Sequence, residues 1–139
     1  PGVVIGADTA VALGAEIFGK PADEADAARI LARLSGRTHE VFSAVAVAEP
    51  GRERIELSRS EVSLRAIDPA EAAAYWATGE PRDKAGGYAI QGLGAAFVAR
   101  LNGSYSGVMG LPLFETIRLL RAAGCGVPGL PAPGAGGGR

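Results

Sequence analysis

Apolar positions along this chain recur with a period of about two residues in some stretches and about 3.6 in others, and the changes of period outline its elements. Val3-Val4-Ile5, leading into Gly6-Ala7-Asp8-Thr9, reads as a short buried strand that delivers an acid, Asp8, at its carboxyl edge. A turn near Gly14 and a short apolar piece through Ile17-Phe18 precede a helical pattern over 22–34, with Ala27, Ile30, Leu31 and Leu34 on its apolar face and Gly36 as its stop. Residues 38–47 place Val41, Ser43, Val45 and Val47 on one parity and read as a largely buried strand. After the turn pair Pro50-Gly51, residues 54–66 alternate through Ile55 and Leu57 and then through Val62 and Leu64. The change of parity predicts a bulge or bend near Ser58 to Ser60 within a hairpin.

Asp68-Pro69-Ala70-Glu71 combines a cap, a first-turn proline and a reciprocal glutamate, so a helix is expected to run from there to Thr78. Residues 88–91 and 95–101 are strand candidates, followed by the turn pair Asn102-Gly103. Pro112 opens a last amphipathic helix through Ala123, with Leu113, Phe114, Ile117 and Leu120 expected to face inward and Gly124 as its cap. The alternation of helices and strands predicts an α/β fold in one domain over 1–125, a mixed sheet flanked by helices. Residues 126–139 are almost only Gly, Pro and Ala, too poor in large apolar groups to offset the entropy of ordering them, and are expected to be a disordered tail.

Composition narrows the classes of function. With 47% hydrophobic and 21% charged residues the chain reads as globular and soluble, and no apolar run approaches the roughly 18 residues that span a bilayer, so no membrane role is expected. Fourteen Lys and Arg against fifteen Asp and Glu leave no broad basic footprint for long nucleic acid, while small phosphate ligands stay open. One cysteine, Cys125, and one histidine, His39, exclude an intrachain disulfide and a Cys/His zinc cluster, and point to a reducing, cytoplasmic setting. His39 lies in a strand-like segment and is a poor candidate for the base of a hydrolytic triad. The chain begins with Pro1 directly on an apolar run, so its true start is expected to lie upstream.

The segment 80–92, Glu-Pro-Arg-Asp-Lys-Ala-Gly-Gly-Tyr-Ala-Ile-Gln-Gly, is too polar for core and reads as a ligand loop. Gly86 and Gly87 allow positive φ and close approach of the backbone, the Lys84 ammonium suits phosphate oxygens, and the Gln91 amide can read a base edge. The alternative is an ordinary surface loop entering a strand.

Several segments together resemble one family. Gly6-Ala7-Asp8-Thr9-Ala10-Val11, Gly19-Lys20-Pro21, Leu34-Ser35-Gly36-Arg37-Thr38-His39, the 80–92 loop with Thr78-Gly79 before it, Asn102-Gly103-Ser104-Tyr105-Ser106 and Gly110-Leu111-Pro112-Leu113-Phe114-Glu115-Thr116 are similar, in order and spacing over 3–124, to the Maf family of nucleoside triphosphate pyrophosphatases. The resemblance implies a Maf/ITPase-like fold and hydrolysis of a nucleoside triphosphate to the monophosphate and pyrophosphate with a divalent cation, Mg²⁺ or Mn²⁺. It makes Asp8 the proton acceptor and a metal candidate, and Lys20 an active-site lysine. Thr9 and Gln91 match positions that influence base selection in the branch acting on dTTP and UTP. Lys84 and Glu80 become candidates for holding phosphate and metal, with a mutual ion pair as the structural alternative. Ser104, Tyr105 and Ser106 follow the family pattern, and their hydroxyls equally suit the turn after Gly103.

The resemblance also implies a possible homodimer and a link to septum formation, so a catalytically silent nucleotide-binding regulator is the competing reading. Family members carry an Ala-Ser-x-Ser-Pro-Arg-Arg segment and a further lysine ahead of the Gly-Ala-Asp-Thr motif, neither of which is in this sequence. The 139-residue chain alone is therefore expected to be N-terminally truncated and weakly active or inactive.

Overall fold

A long hairpin forms the centre of the fold in the computed structural model, which describes residues 2–130. Strands β3 (Thr38–Glu49) and β4 (Arg52–Leu64) pair in unbroken register from Glu49 opposite Arg52 to Thr38 opposite Ser63. The bulge expected near Ser58 is therefore not there. The two apolar sets of β4 belong to opposite faces of a regular strand: Val62 and Leu64 are buried, while Ile55 and Leu57 remain 63% and 60% exposed. The irregularity falls later, between Ser63 and Leu64, where β4 meets β5 (Val98–Asn102).

On the other side of β3 lies β1 (Val4–Leu13), and β2 (Glu16–Phe18) folds back on its last residues through Gly14 at φ +59°. The order is β2-β1-β3-β4-β5. The helix-flanked sheet of a single domain is as expected, but all its described pairings are antiparallel rather than mixed: tight hairpins join β1 to β2 and β3 to β4, and the longer connections through α1 and α2 also return the chain antiparallel to its neighbour. β1 is also longer than its apolar run. Its ladder with β3 continues past small residues that pack opposite small residues, Gly6 on Ala46 and Asp8 on Ala44. Asp8 consequently sits in the middle of the strand, not at its end, and Val4 and Ile5 are exposed.

Helix α1 (Glu24–Leu34) begins after Asp23, whose Oδ1 accepts from the Asp26 N–H at 2.8 Å, and it buries Ala27, Ile30, Leu31 and Leu34 as its periodicity predicts. Helix α2 (Pro69–Ala77) carries the predicted capping box between Asp68 and Glu71. Together with Val11, Phe18, Val41, Val62, Leu64, Tyr75, Tyr88, Ile90 and Phe97, the α1 face forms the main core on the Val41 side of the sheet. A smaller cluster joins Val45 and Val47 to Leu119.

Helix α4 (Leu113–Ala122) is rotated from its predicted phase. Thr116 and Leu119 are its buried residues, whereas Leu113 is exposed and Phe114 is 68% exposed. The fully buried Pro112 fixes the entry of this helix, and Thr116 Oγ1 donates to the Pro112 carbonyl at 2.7 Å, which satisfies the hydroxyl and lets that side of the helix be buried.

The strand expected over 88–91 is a further correction. Three 3₁₀ turns, Glu80–Asp83, Ala85–Gly87 and Leu93–Phe97, occupy the region, and Tyr88, Ala89 and Ile90 are buried without joining the sheet. Of the expected tail, 126–130 form a turn with a Val127 to Leu130 bridge, and 131–139 lie outside the described residues. Among the described residues no helix is long and apolar enough to cross a membrane.

Candidate active site

Gly86 is where the elements of the site meet. Its φ of +78° demands glycine, and a Cβ there would lie 3.0 Å from Val11 Cγ2 on β1. Its N–H donates to the Gly19 carbonyl at 3.1 Å. One glycine thus holds the loop carrying Lys84 against both β1 and the segment carrying Lys20. The loop is closed by N–H bonds from Lys84 to the Pro81 carbonyl and from Gly87 to the Lys84 carbonyl.

The result is a pocket of about 260 Å³ whose lining includes Asp8, Thr9, Lys20, Lys84 and Gln91. Five of the six residues singled out from the sequence are brought together, from stretches of chain as far apart as Asp8 and Gln91. Val11, Val41, Tyr88, Val108 and Met109 add an apolar wall, and Asp83 a second carboxylate. Two ammonium groups beside a flat apolar wall and an amide suit a ligand with an anionic end and a planar polar end.

β2 pairs with β1 only at residues 11–13, so residues 4–10 of β1 have no described strand on that margin. There Asp8 Oδ1 accepts from the Thr9 N–H at 3.0 Å, leaving Oδ2 with no described protein partner. Thr9 Oγ1 lies 3.0 Å from Ser43 Oγ, and Ser43 donates in turn to the Gly107 carbonyl. Because the Ser43 proton is used on Gly107, the Thr9 hydroxyl must donate to Ser43, and its lone pairs are what it offers the pocket. Asp83 Oδ1 receives Lys84 Nζ at 3.1 Å; that hydrogen bond and charge, with a contribution from Lys20, hold the Asp83 carboxyl below its ordinary range. The field of both lysines is therefore felt at one end of the pocket.

Glu80 is placed differently. Its Oε1 accepts from the Leu93 N–H at 2.9 Å, and its Oε2 from the Gly94 N–H at 2.9 Å and from the Tyr75 hydroxyl. Burial raises its pKa, but the Tyr75, Leu93 and Gly94 hydrogen bonds and the Lys84 charge outweigh that and leave it lowered. Lys84 makes its ion pair with Asp83 rather than with Glu80. Ser104 caps α3 (Tyr105–Met109) through the Gly107 N–H, and Ser106 accepts from the Leu113 N–H, so these hydroxyls serve the turn.

His39 is buried and hydrogen-bonded through Nε2 to the Tyr88 hydroxyl at 2.6 Å, while its Nδ1 has no partner. Burial depresses its pKa to about 4, and burial likewise raises that of Tyr88. Both groups are neutral near pH 7, and the contact ties the wall of the pocket to β3. Sequence reasoning missed Ser43, Asp83 and Tyr88. Ser43 could have been found as a hydroxyl on the buried parity of an otherwise valine-lined strand, and Tyr88 as an aromatic directly after two glycines.

Among the described residues, no three His, Cys, Asp or Glu side chains gather as a metal cage. A hard divalent cation still fits a simpler donor set, since Mg²⁺ commonly takes one or two carboxylates and completes its shell with substrate phosphates and water. Asp8, with one oxygen uncommitted, meets that requirement.

The pattern described as Maf-like protein matches residues 1–123. A dTTP/UTP pyrophosphatase of Bordetella parapertussis is 54% identical over 125 residues, which is 90% of this chain and 60% of that protein. Proteins of the same name from Methylobacillus flagellatus and Alcanivorax borkumensis are 52% and 54% identical over 126 and 123 residues, or 91% and 88% of this chain and 63% and 64% of their own lengths. The chain thus spans about three fifths of the length of these curated relatives.

Proposed function

The chain belongs to the Maf family, and from that membership and the pocket together we propose that it is the catalytic part of a nucleoside triphosphate pyrophosphatase acting on dTTP and UTP. The observation that carries this reading is the convergence of Asp8, Thr9, Lys20, Lys84 and Gln91 on one pocket. In this reading Lys20 and Lys84 bind the triphosphate and neutralise charge that builds on it during transfer. Gln91 and the lone pairs of Thr9 meet the polar edge of a pyrimidine, and Tyr88, Val41 and Val108 supply the apolar surface beside it. Asp8 accepts a proton from the attacking water. The water oxygen bonds to phosphorus, the bridging bond between the α and β phosphoryl groups breaks, and pyrophosphate leaves with the electron pair. A divalent cation, when bound by Asp8 and the phosphates, supplies charge neutralisation and a more acidic water.

The test is pyrophosphate release from dTTP, UTP, CTP, GTP and ATP with Mg²⁺ or Mn²⁺. It is run on the 139-residue chain, on a chimera extended by the portion of the Bordetella relative that the chain does not span, and on the Asp8→Asn variant of each. Release from dTTP and UTP in at least one wild-type form, reduced a hundredfold or more by Asp8→Asn, is the expected result. Binding of these nucleotides without release by either form would transfer the case to a regulatory nucleotide-binding role.

A further inference from the structure

The geometry points to Glu80 and Tyr75 as a clamp that positions Gln91, and so as positioning residues for base selection. This rests on the reading of Gln91 given above. Gln91 lies in a turn closed by the Gly92 N–H on the Ala89 carbonyl at 3.2 Å, and a second turn follows at once, with the Ala95 N–H on the Gly92 carbonyl at 3.1 Å. Neither turn belongs to the sheet, and neither is long enough to hold a side chain at a fixed place unaided.

The clamp grips both flanks of Gln91. On the near side the Ala89 N–H donates to the Tyr75 hydroxyl at 2.9 Å, and that hydroxyl donates to Glu80 Oε2. On the far side the Leu93 and Gly94 N–H groups donate to Glu80 Oε1 and Oε2. Tyr75 is itself immobile, 4% exposed on α2 and edge-on to Phe97 with ring centroids 5.1 Å apart. The fit leaves no room for a side chain at the two glycines of the turns: a Cβ on Gly92 would lie 2.2 Å from Glu80 Oε1, and one on Gly94 2.7 Å from the Tyr75 oxygen.

The chemistry also requires a carboxylate at residue 80. Three donors converge on two oxygens, and only an acceptor-only group satisfies all three, whereas an amide would set its NH₂ against an N–H or the hydroxyl. Glu80→Gln is thus close in shape but wrong in polarity, and Tyr75→Phe removes the link to Ala89 while keeping the ring.

The experiment measures calorimetric binding of UTP and of inorganic tripolyphosphate to the 139-residue chain and to its Glu80→Gln, Tyr75→Phe, Gln91→Ala and Glu80→Gln/Gln91→Ala variants, each checked for folding by circular dichroism. Glu80→Gln and Tyr75→Phe are expected to weaken UTP about tenfold and to leave tripolyphosphate unchanged, and Glu80→Gln is expected to add nothing once Gln91 is gone. Equal weakening of both ligands, or an effect additive with Gln91→Ala, overturns the proposal. If the 139-residue chain binds neither ligand, the binding comparison moves to the chimera described above, and a chimera that also binds neither counts against the nucleotide reading alone. The clamp is then judged by the NMR side-chain amide signal of Gln91 and by hydrogen exchange at Leu93 and Gly94. Broadening and faster exchange in Glu80→Gln support it, and unchanged signals overturn it.

Discussion

Glu71 and Glu80 lie nine positions apart and use their carboxylates alike, as acceptors for backbone N–H groups, yet they hold together two different kinds of region. Glu71 accepts from the Asp68 N–H three residues back and completes a cap within one turn of α2, with Arg65 alongside. The Arg65 hydrogen bond, helped by that cap, lowers its pKa to about 2. Glu80 accepts from Leu93 and Gly94, thirteen and fourteen residues ahead, and from a tyrosine on a helix already formed. Local closure lets the first turn of α2 be capped from within itself, while Ala72 and Tyr75 pack the helix into the main core. Distant closure makes 79–97 dependent on everything that packs around it, and that dependence places Lys84 and Gln91 relative to β1.

The contrast can be broken first through pH, because the distant region has a titratable anchor. The folded pKa of His39, about 4, lies below its ordinary value of 6.5, so between those values the unfolded chain binds the extra proton and the folded one does not. The resulting stabilisation is fully present above about pH 6.5 and is lost as pH falls toward 4, a swing of roughly 3 kcal/mol. Urea unfolding across that range should show it, and His39→Gln, which does not titrate, should flatten that part of the slope.

A smaller effect is expected from Gly94→Ala, whose Cβ would meet the Ala89 carbonyl oxygen at 2.5 Å. Denaturant midpoints should report a loss of about 2 kcal/mol, with hydrogen exchange at residues 93 and 94 quickening and α2 helicity retained. Weakest should be Asp68→Ala, which removes only the local cap and costs about 1 kcal/mol. Its effect on nucleotide binding should be negligible, and a large one would mean that the cap of α2 and the clamp at Tyr75 are coupled.

How far the sequence could be read follows the same division. The face of α1, the capping box of α2 and the parity of β3 were legible because each depends on residues within one or two turns or on a strict alternation. The phase of α4 was not, since Leu113 and Phe114 look like core residues until buried Pro112 fixes which side of the helix meets Val45 and Val47. Nor was the fate of 88–91: Tyr-Ala-Ile-Gln has the composition of a strand and its first three residues are buried like one, but the groups that satisfy its surroundings are Tyr75, Glu80 and His39. The candidate site was legible as a set of residues and illegible as an arrangement: the carboxylate of Glu80, a phosphate or metal candidate in the sequence, accepts from the Leu93 and Gly94 N–H groups and from Tyr75.

By itself the sequence determined the family, the local elements and the charged and amide groups available to a ligand, because residue identity, short-range periodicity and capping need no knowledge of distant contacts. Only the tertiary structure decided that β1 runs through Asp8, that Gly86 brings Lys20 and Lys84 to the same pocket, and that Glu80 faces the backbone of residues 93 and 94. Those outcomes depend on which donor meets which acceptor across many residues of intervening chain, and on close approaches that a glycine permits but does not by itself specify.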